Sequence, residues 1–486
     1  MKKSILYIFF LIFIACASSV CAENIGVPSE CEDVMLQAFY WDSYKNQTST
    51  VSKYGRTKWI DLLKDTAAIN ANFDLVWFPP SALSSGGVGY YHKQLSNQES
   101  DWGPKAKLTQ LITALHAGNT KVIADIVINH RNDAGSWTNF YPDYFGDYGT
   151  FQLTQSHICS GDEAFTSKSS PAYGSTDRGA ADTGTNDGGC RDLDHSSEYV
   201  QSWAKAYVQW MLNVMKYDGF RYDMTRGYDG KYLSMYNEAA NPYLSVSEYW
   251  EGIANQINHL KATNYNTMIF DFQQKYELGS AIVNNEYGRL KKSNTNTFRG
   301  KGLEKYAVTF IDNHDTFERS DNQSDEFYKY NADLSTALVK NFILQANAYI
   351  LMMPGVPCVF YPHWKSYPEE INAMIAVRKE AGIHSESVVT SETGNSTSKA
   401  YSATIEGHKA KVILRLGQKR STVVPEGYHL ALEGGDNGYY TIFISDSEQG
   451  VEEVQDTTPS EKFIRDGKLY IRRGEQLFDI LGNKIR

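Results

Sequence analysis

Short apolar runs recur along the chain, separated by amphipathic stretches. The runs at 33–41, 73–79, 120–129, 217–223, 244–248, 267–272, 307–312 and 356–361 are too short for ordinary helices and predict strands. Between several of them, apolar residues return at helical spacing, over 59–69, 108–117, 199–215, 253–260 and 334–353. Strand alternating with helix predicts a parallel sheet, and eight repeats predict closure into an α/β (β/α)8 barrel. The alternation breaks once. Residues 130–192 are rich in Gly, Asp, Ser, Thr and aromatics with no helical period, which predicts a loop-rich subdomain inserted after strand three. From 387 the pattern becomes short and alternating, as at 411–414 and 439–444, and predicts a C-terminal antiparallel β-domain. The expected division is 1–22 leader, 23–129 and 193–386 barrel, 130–192 insert, 387–446 β-domain, and 447–486 linker and strand-rich tail.

Composition narrows the class. A chain that is 42% hydrophobic and 21% charged folds rather than remaining disordered. Its net charge of −10, with no basic run in the body of the chain, argues against nucleic acid as a partner. The 33 tyrosines suit surfaces that stack on flat polar ligands, although a tyrosine-rich exported protein would show the same count. Lys2 and Lys3, the apolar stretch 5–15 and the small-residue site Val20-Cys21-Ala22 predict a signal peptide cleaved after Ala22. Lipoprotein processing at Cys16 is the alternative, with Phe13 standing where leucine is usual. The chain is therefore expected to be secreted or held at the cell surface, without an integral membrane segment. The cysteines outside the leader, Cys31, Cys159, Cys190 and Cys358, match no zinc spacing. Export permits disulfides; Cys159 and Cys190, in one loop-rich segment, are the candidate pair, and Cys358 in its apolar run reads as a buried thiol.

Barrel enzymes carry their working residues at the C-terminal ends of strands. Ionisable residues collect at those points here: Asp125-Ile126-Val127-Ile128-Asn129-His130 after strand three, Gly219-Phe220-Arg221-Tyr222-Asp223 at strand four, Ser247-Glu248-Tyr249-Trp250 at strand five, and Asp312-Asn313-His314-Asp315 at strand seven. A single carboxylate at such a place is ordinarily a helix cap. Four motifs on one rim, in barrel order, point to a site.

These segments resemble the signature segments of glycoside hydrolase family 13, the α-amylase family, and most nearly its plant-type branch, over roughly 31–444. Val76-Trp77-Phe78-Pro79-Pro80, Gly355-Val356-Pro357-Cys358-Val359-Phe360-Tyr361 and Gly382-Ile383-His384-Ser385-Glu386-Ser387 extend the likeness. The resemblance implies a retaining endo-hydrolase of α-1,4-glucosidic bonds in starch, glycogen or maltooligosaccharides, and a monomer. Asp223 is then the nucleophile, with Arg221 holding it ionised and lowering its pKa, and Glu248 the general acid/base with the higher pKa. Retention requires the two carboxyl groups about 5–5.5 Å apart. Asp315 is the third carboxylate, His130 and His314 bond the sugar, Tyr90 is its aromatic platform, and Trp250 and Trp102 stack on neighbouring sugars. Each of these taken alone has an ordinary structural reading: a satisfied histidine, a packed aromatic, a buried ion pair for Arg221.

The resemblance also implies calcium, held by Asn129, Asp182, Asp192 and the backbone carbonyl of Gly227, which would clamp the insert to the barrel. The pattern departs from the plant-type branch at Tyr91-His92-Lys93-Gln94, where a proline is usual, at Arg226 in place of lysine, and in the cysteines of the insert. The tail, from Phe463-Ile464-Arg465-Asp466-Gly467-Lys468 onward, resembles the sorting segments of Bacteroidetes outer-surface proteins, or a plain β-hairpin appendage. An α-glucan transglycosylase or branching enzyme would carry the same carboxylates; a non-catalytic starch-binding protein would have lost one.

Overall fold

Eight short parallel strands close into a barrel, buried on both faces. They are β1 (Met35–Gln37), β2 (Leu75–Trp77), β3 (Lys121–Ile126), β4 (Gly219–Tyr222), β5 (Ser245–Ser247), β6 (Met268–Phe270), β7 (Ala307–Phe310) and β8 (Val356–Phe360). Each pairs with its neighbours in sequence, and β1 pairs with both β2 and β8, which closes the ring. The structure, a computed structural model, describes residues 24–132, 134–186, 188–319, 337–397, 399–418, 423–435 and 439–446, with four further strands within 460–485. The expected leader, with Cys16 and the cleavage site at Ala22, and the linker at 447–459 lie outside the described residues.

Helices follow the strands in turn: α1 (Trp59–Asn72), α2 (Lys105–His116), α3 (Glu198–Asn213), α4 (Gly230–Ala240), α5 (Ile253–Ala262), α6 (Phe272–Val283), α7 (Ala337–Met352) and α8 (Pro368–Ala381). Local signals set their ends. Asp229 and Asp271 cap α4 and α6, accepting from Lys231 N and Gln274 N, while α8 begins on Pro368 with Glu369 and Glu370 in its first turn. Arg378 of α8 is fully buried, and its guanidinium donates to the carbonyls of Leu351 (2.7 Å), Met353 (3.1 Å) and Gly355 (2.9 Å). It thereby satisfies carbonyls at the end of α7 that helix geometry leaves unpaired. Among the described residues, no helix is long and apolar enough to cross a membrane.

The insert after β3 is mostly loop. It is tied at its base by an antiparallel pair, His130 with Asp192 and Arg131 with Arg191. A salt bridge between buried Arg131 and Asp143 (2.7 Å) and a bond from Trp203 Nε1 of α3 to the same carboxylate (2.9 Å) anchor it further. The expected Cys159–Cys190 disulfide is not formed: both are buried free thiols, as are Cys31 and Cys358. The cause is register. Ile158 bridges Leu193 and Cys159 N bonds to Asp192 O, so Cys159 lies opposite Asp192 while Cys190 falls two residues further along that strand.

The C-terminal β-domain is an antiparallel sheet of β9 (Val388–Asn395), β10 (Ala400–Glu406), β11 (Lys411–Gly417), β12 (Tyr428–Gly434) and β13 (Tyr439–Ser445), in the order β9-β10-β11-β13-β12. Alternate residues Tyr401, Ala403 and Ile405 of β10 and Val412, Leu414 and Leu416 of β11 point inward, and their cluster is continuous with the barrel core. The tail forms a separate antiparallel sheet of β14 (Ser460–Arg465), β15 (Lys468–Arg473), β16 (Gln476–Asp479) and β17 (Lys484–Ile485).

Candidate active site

The barrel's own hydrogen-bond ladder places the two central carboxylates. Asp223 N donates to Ile126 O (3.0 Å) and Glu248 N to Tyr222 O (2.9 Å), which continues the pairing of β4 with β3 and β5 by one residue. Arg221 and Asp223, two apart on an extended chain, share a face. Arg221 Nη1 donates to Asp223 Oδ1 (2.8 Å) and to Asp125 Oδ1 (2.9 Å), and its Nη2 lies 2.9 Å from Glu248 Oε2. One buried guanidinium therefore faces three carboxylates. Met224, the next residue, is held in the left-handed region at φ 45, and its N–H donates to Glu248 Oε2 (2.9 Å). That backbone costs on the order of 1 kcal/mol or more for a residue with a Cβ. Thr225 Oγ1 donates to Glu248 O (2.6 Å) and locks the two strand ends together.

Burial pushes all three carboxyl groups up against the pull of Arg221, Asp125 and Asp223 to about 6 and Glu248 to about 7. The expected lowering of Asp223 is thus corrected: desolvation outweighs the cation. Each of the two carboxyls acts on the other: the neighbouring Asp223 raises Glu248 further.

Beyond β7, Asn313 Oδ1 accepts from the N–H groups of Asp315 (2.9 Å) and Thr316 (3.0 Å), a turn that presents His314 and Asp315. Gln37 Nε2 meets His314 Nδ1 at 3.0 Å, which leaves the ring proton on Nε2, between Tyr90 Oη (2.7 Å) and Asp315 Oδ2 (3.1 Å). Burial first, then Arg221 and Arg319, holds His314 well below the usual histidine range, so the ring is neutral. Tyr90 donates to Asp125 Oδ2 (2.9 Å) and stacks parallel to His314, with ring centres 5.3 Å apart. Its approach depends on Gly89, at φ +116, where a Cβ would sit 2.8 Å from Pro80 O. His130 Nε2 donates to Tyr90 O (3.1 Å). Trp250 stacks on Phe272 at 4.7 Å and donates to Tyr276 Oη (2.8 Å).

Tyr90, His130, Asp223, Glu248, Trp250, His314 and Asp315 together line one cleft of about 260 Å³. Arg221 is 1% exposed and lies beneath the cleft, spent on the carboxylates rather than open to a substrate. One expectation about the aromatic residues is corrected. Trp102, a candidate stacking residue, is core: it is 0% exposed, donates to Val88 O (3.0 Å) and packs on Phe39, Tyr44 and Trp59. Three residues went unassigned in the sequence. Asp125 accepts from Arg221, Tyr90 and Trp77 Nε1 (3.1 Å). Trp41 lines the cleft and stacks on His314 at 6.1 Å, and Arg319 lies 3.6 Å over the Trp41 ring while pairing with Asp315 Oδ1 (3.2 Å). A charge inside an apolar run was the one available signal, for Asp125. A larger hollow of about 510 Å³ lies on the C-terminal sheet, beside Tyr401 and Arg415; among the described residues its lining has no carboxyl group, so size does not select the site.

The four residues expected to hold a metal meet at the base of the insert. Asn129 Nδ2 donates to Asp192 Oδ1 (3.1 Å), and a Cβ on Gly227 would fall 2.0 Å from Asn129 Oδ1. Asp182 Oδ1 accepts from Gly184 N (2.9 Å), and the following Thr185 N donates to Arg226 O (2.9 Å), which seats the 182–185 loop against Gly227. Burial, then the carboxylates of Asp182, Asp194, Asp192 and Asp162, drives the Cys159 thiol upward. Gathered carboxylates beside an amide oxygen and a backbone carbonyl form an all-oxygen donor set, which fits a hard cation such as calcium.

Two buried acidic side chains held by one guanidinium and facing one cleft at the C-terminal rim of a (β/α)8 barrel fit a carboxylate-pair glycoside hydrolase. No family model matches the chain. α-Amylase 3, chloroplastic, of Arabidopsis thaliana is 29% identical over 436 residues, which is 83% of this chain but only 43% of that protein. Probable α-amylase 2 of the same plant is 28% identical over 74% of this chain and 82% of its own length. The α-amylase type B isozyme of Hordeum vulgare is 34% identical over 134 residues, 27% of this chain and 76% of that sequence. A crystal structure of an Anoxybacillus α-amylase shares the fold, with a TM-score of 0.62 at 13% identity over 86% of this chain and 99% of that one. The chain belongs to the α-amylase family of glycoside hydrolases.

Proposed function

We propose that the chain is an exported α-amylase that cuts internal α-1,4-glucosidic bonds of starch, glycogen or maltooligosaccharides and retains configuration at the anomeric carbon. The observation that carries this reading is the Arg221 cradle: Asp223 and Glu248 rest on one guanidinium and face one cleft. Glu248 then protonates the leaving glycosidic oxygen while Asp223 attacks the anomeric carbon, giving a covalent glycosyl ester. Glu248, now ionised, takes a proton from water, which attacks the same carbon and releases Asp223. Retention needs the two carboxyl groups about 5–5.5 Å apart, on opposite sides of the bond that breaks. Asp315, His130 and neutral His314 supply polar contacts to the sugar, and Tyr90 and Trp250 its flat contacts. The test is to follow products from soluble starch over time. Early mixed oligosaccharides support the reading; longer or branched products without net new reducing ends indicate transglycosylation, and no turnover indicates a binding protein.

The pH profile follows from the pair. Activity needs Asp223 ionised and Glu248 protonated. The rate is expected to fall below about pH 6 as Asp223 gains its proton, and above about pH 7 as Glu248 loses its own. A profile of kcat/KM that stays flat from pH 5 to pH 9 would contradict these roles.

Calcium belongs to the same reading, held by Asn129, Asp182, Asp192 and the Gly227 carbonyl; bound there, it would neutralise the acidic loop and fasten the insert beside His130. Stripping the ion with a chelator, checked by metal analysis, is expected to lower stability by about 3–4 kcal/mol if the site was near saturation. Calcium, added back, should restore the melting temperature, and a melting curve indifferent to metal content would refute the site. Kinship with the plant-type branch rests on the residues of the four rim motifs and on the spacing of Asp182, Asp192 and Asp223. Export rests on the leader at 1–22, surface sorting on the tail from 462, and the chain is taken as a monomer.

A further inference from the structure

Away from the cleft, three potential ligands meet where the barrel and the C-terminal β-domain join. Glu30 lies in the segment before β1, His384 in the loop between α8 and β9, and His408 in the turn between β10 and β11. One ligand atom from each lies within 4.8 Å of the others, and the two imidazole rings face each other with centres 4.2 Å apart. The backbone holds them there. His408 N donates to Gly382 O (2.9 Å), and Glu30 N to Glu386 Oε1 (2.9 Å).

The surroundings suit a cation. His408 Nδ1 lies 3.2 Å from Glu32 Oε1, so Nδ1–H donates to that carboxylate and Nε2 presents a lone pair, 3.6 Å from Glu30 Oε2. A carboxylate behind an imidazole is the usual support of a metal-bound histidine. Glu30, Glu32 and Glu386 give the pocket a negative balance that Lys305, 3.5 Å from Glu386, offsets only in part. His384 is buried, and burial followed by His408 lowers its proton affinity. The contact of Glu386 N–H with His384 Nδ1 is long, 3.3 Å, and must yield when that ring takes a metal.

We propose that Glu30, His384 and His408 form a second metal site, selective for zinc or a similar late first-row divalent ion, that pins the β10–β11 turn to the barrel. Two imidazole nitrogens and one carboxylate oxygen, with water completing the shell, are donors of intermediate softness. They contrast with the oxygen-only set around Asp182 and Asp192, so the two sites would sort different ions.

The test uses the full chain without an affinity tag, saturated with calcium, titrated with zinc chloride at pH 7.5. Calorimetry should show one zinc site, and the melting temperature should rise by about 2 °C or more. His408→Ala and Glu30→Gln, both at exposed positions, should weaken zinc binding at least about 10-fold and abolish the shift, while Glu32→Gln should weaken it less. His116→Ala and His429→Ala, which alter histidines paired with Asp218 and Asp446, should titrate as the wild type does. The proposal is overturned if His408→Ala and Glu30→Gln bind zinc as tightly as the wild type, if the two control variants lose binding equally, or if the wild type takes up no zinc below millimolar concentration.

Discussion

Asp223→Asn is expected to leave the chain folded and to reduce kcat on starch by about 10⁴-fold or more. Asparagine matches the shape of aspartate and still offers an oxygen to Arg221 Nη1, now 2.8 Å from Asp223 Oδ1. It cannot form the glycosyl ester. The effect on stability has the opposite sign. Burial raises the Asp223 carboxyl above its unfolded value, so its contribution to stability is present at low pH and is lost as pH rises through about 6. At neutral pH the ionised group is a burden that asparagine removes, and the melting temperature of the variant should equal or exceed that of the wild type. A variant within about 10-fold of wild-type kcat would remove Asp223 from the nucleophile's role.

Arg221→Met should damage both activity and stability. The side chain is 1% exposed, and its charge is matched by Asp125, Asp223 and Glu248. Removing a cation that contacts three buried carboxylates is expected to cost about 3–5 kcal/mol. The loss must depend on pH. Without the guanidinium the three carboxyls rise further above their unfolded values, so the folded variant binds more protons than the unfolded chain and gains stability as pH falls. Urea unfolding at pH 5 and pH 8 should therefore show the larger deficit at pH 8. Equal deficits at the two values, or a variant as stable as the wild type, would mean that Arg221 is not the counter-charge of the cluster.

The barrel was legible because most of its strands lie in short, largely apolar runs, as parallel strands buried on both faces do, although β5 is Ser-Val-Ser and β4 carries Arg221. The runs overstate the strands: of 33–41 only Met35–Gln37 is laddered, while Phe39 and Tyr40 stay buried in the loop beyond. Helices α4, α6 and α8 escaped notice. α8 buries a charged residue, Arg378, on its inner face, and α6 starts directly at the end of β6, so the change of period is hidden. The rim carboxylates were legible because each follows its strand by a residue or a few. Asp125 drew no role because its partners, Arg221, Tyr90 and Trp77, come from other strands and loops. Trp41 and Arg319 meet only when the rim closes, and no local pattern joins them. The net upward shift of Asp223 is a property of burial, which spacing does not reveal.

The retaining mechanism is tested most directly by the anomeric form of the first product. Proton NMR in the first minutes of hydrolysis of a maltooligosaccharide resolves the new reducing end before mutarotation. Attack by Asp223, followed by attack of water on the same carbon, is expected to release the α-anomer first, which then drifts towards the equilibrium mixture. Early appearance of the β-anomer would mean a single displacement by water, and would contradict the roles given to Asp223 and Glu248.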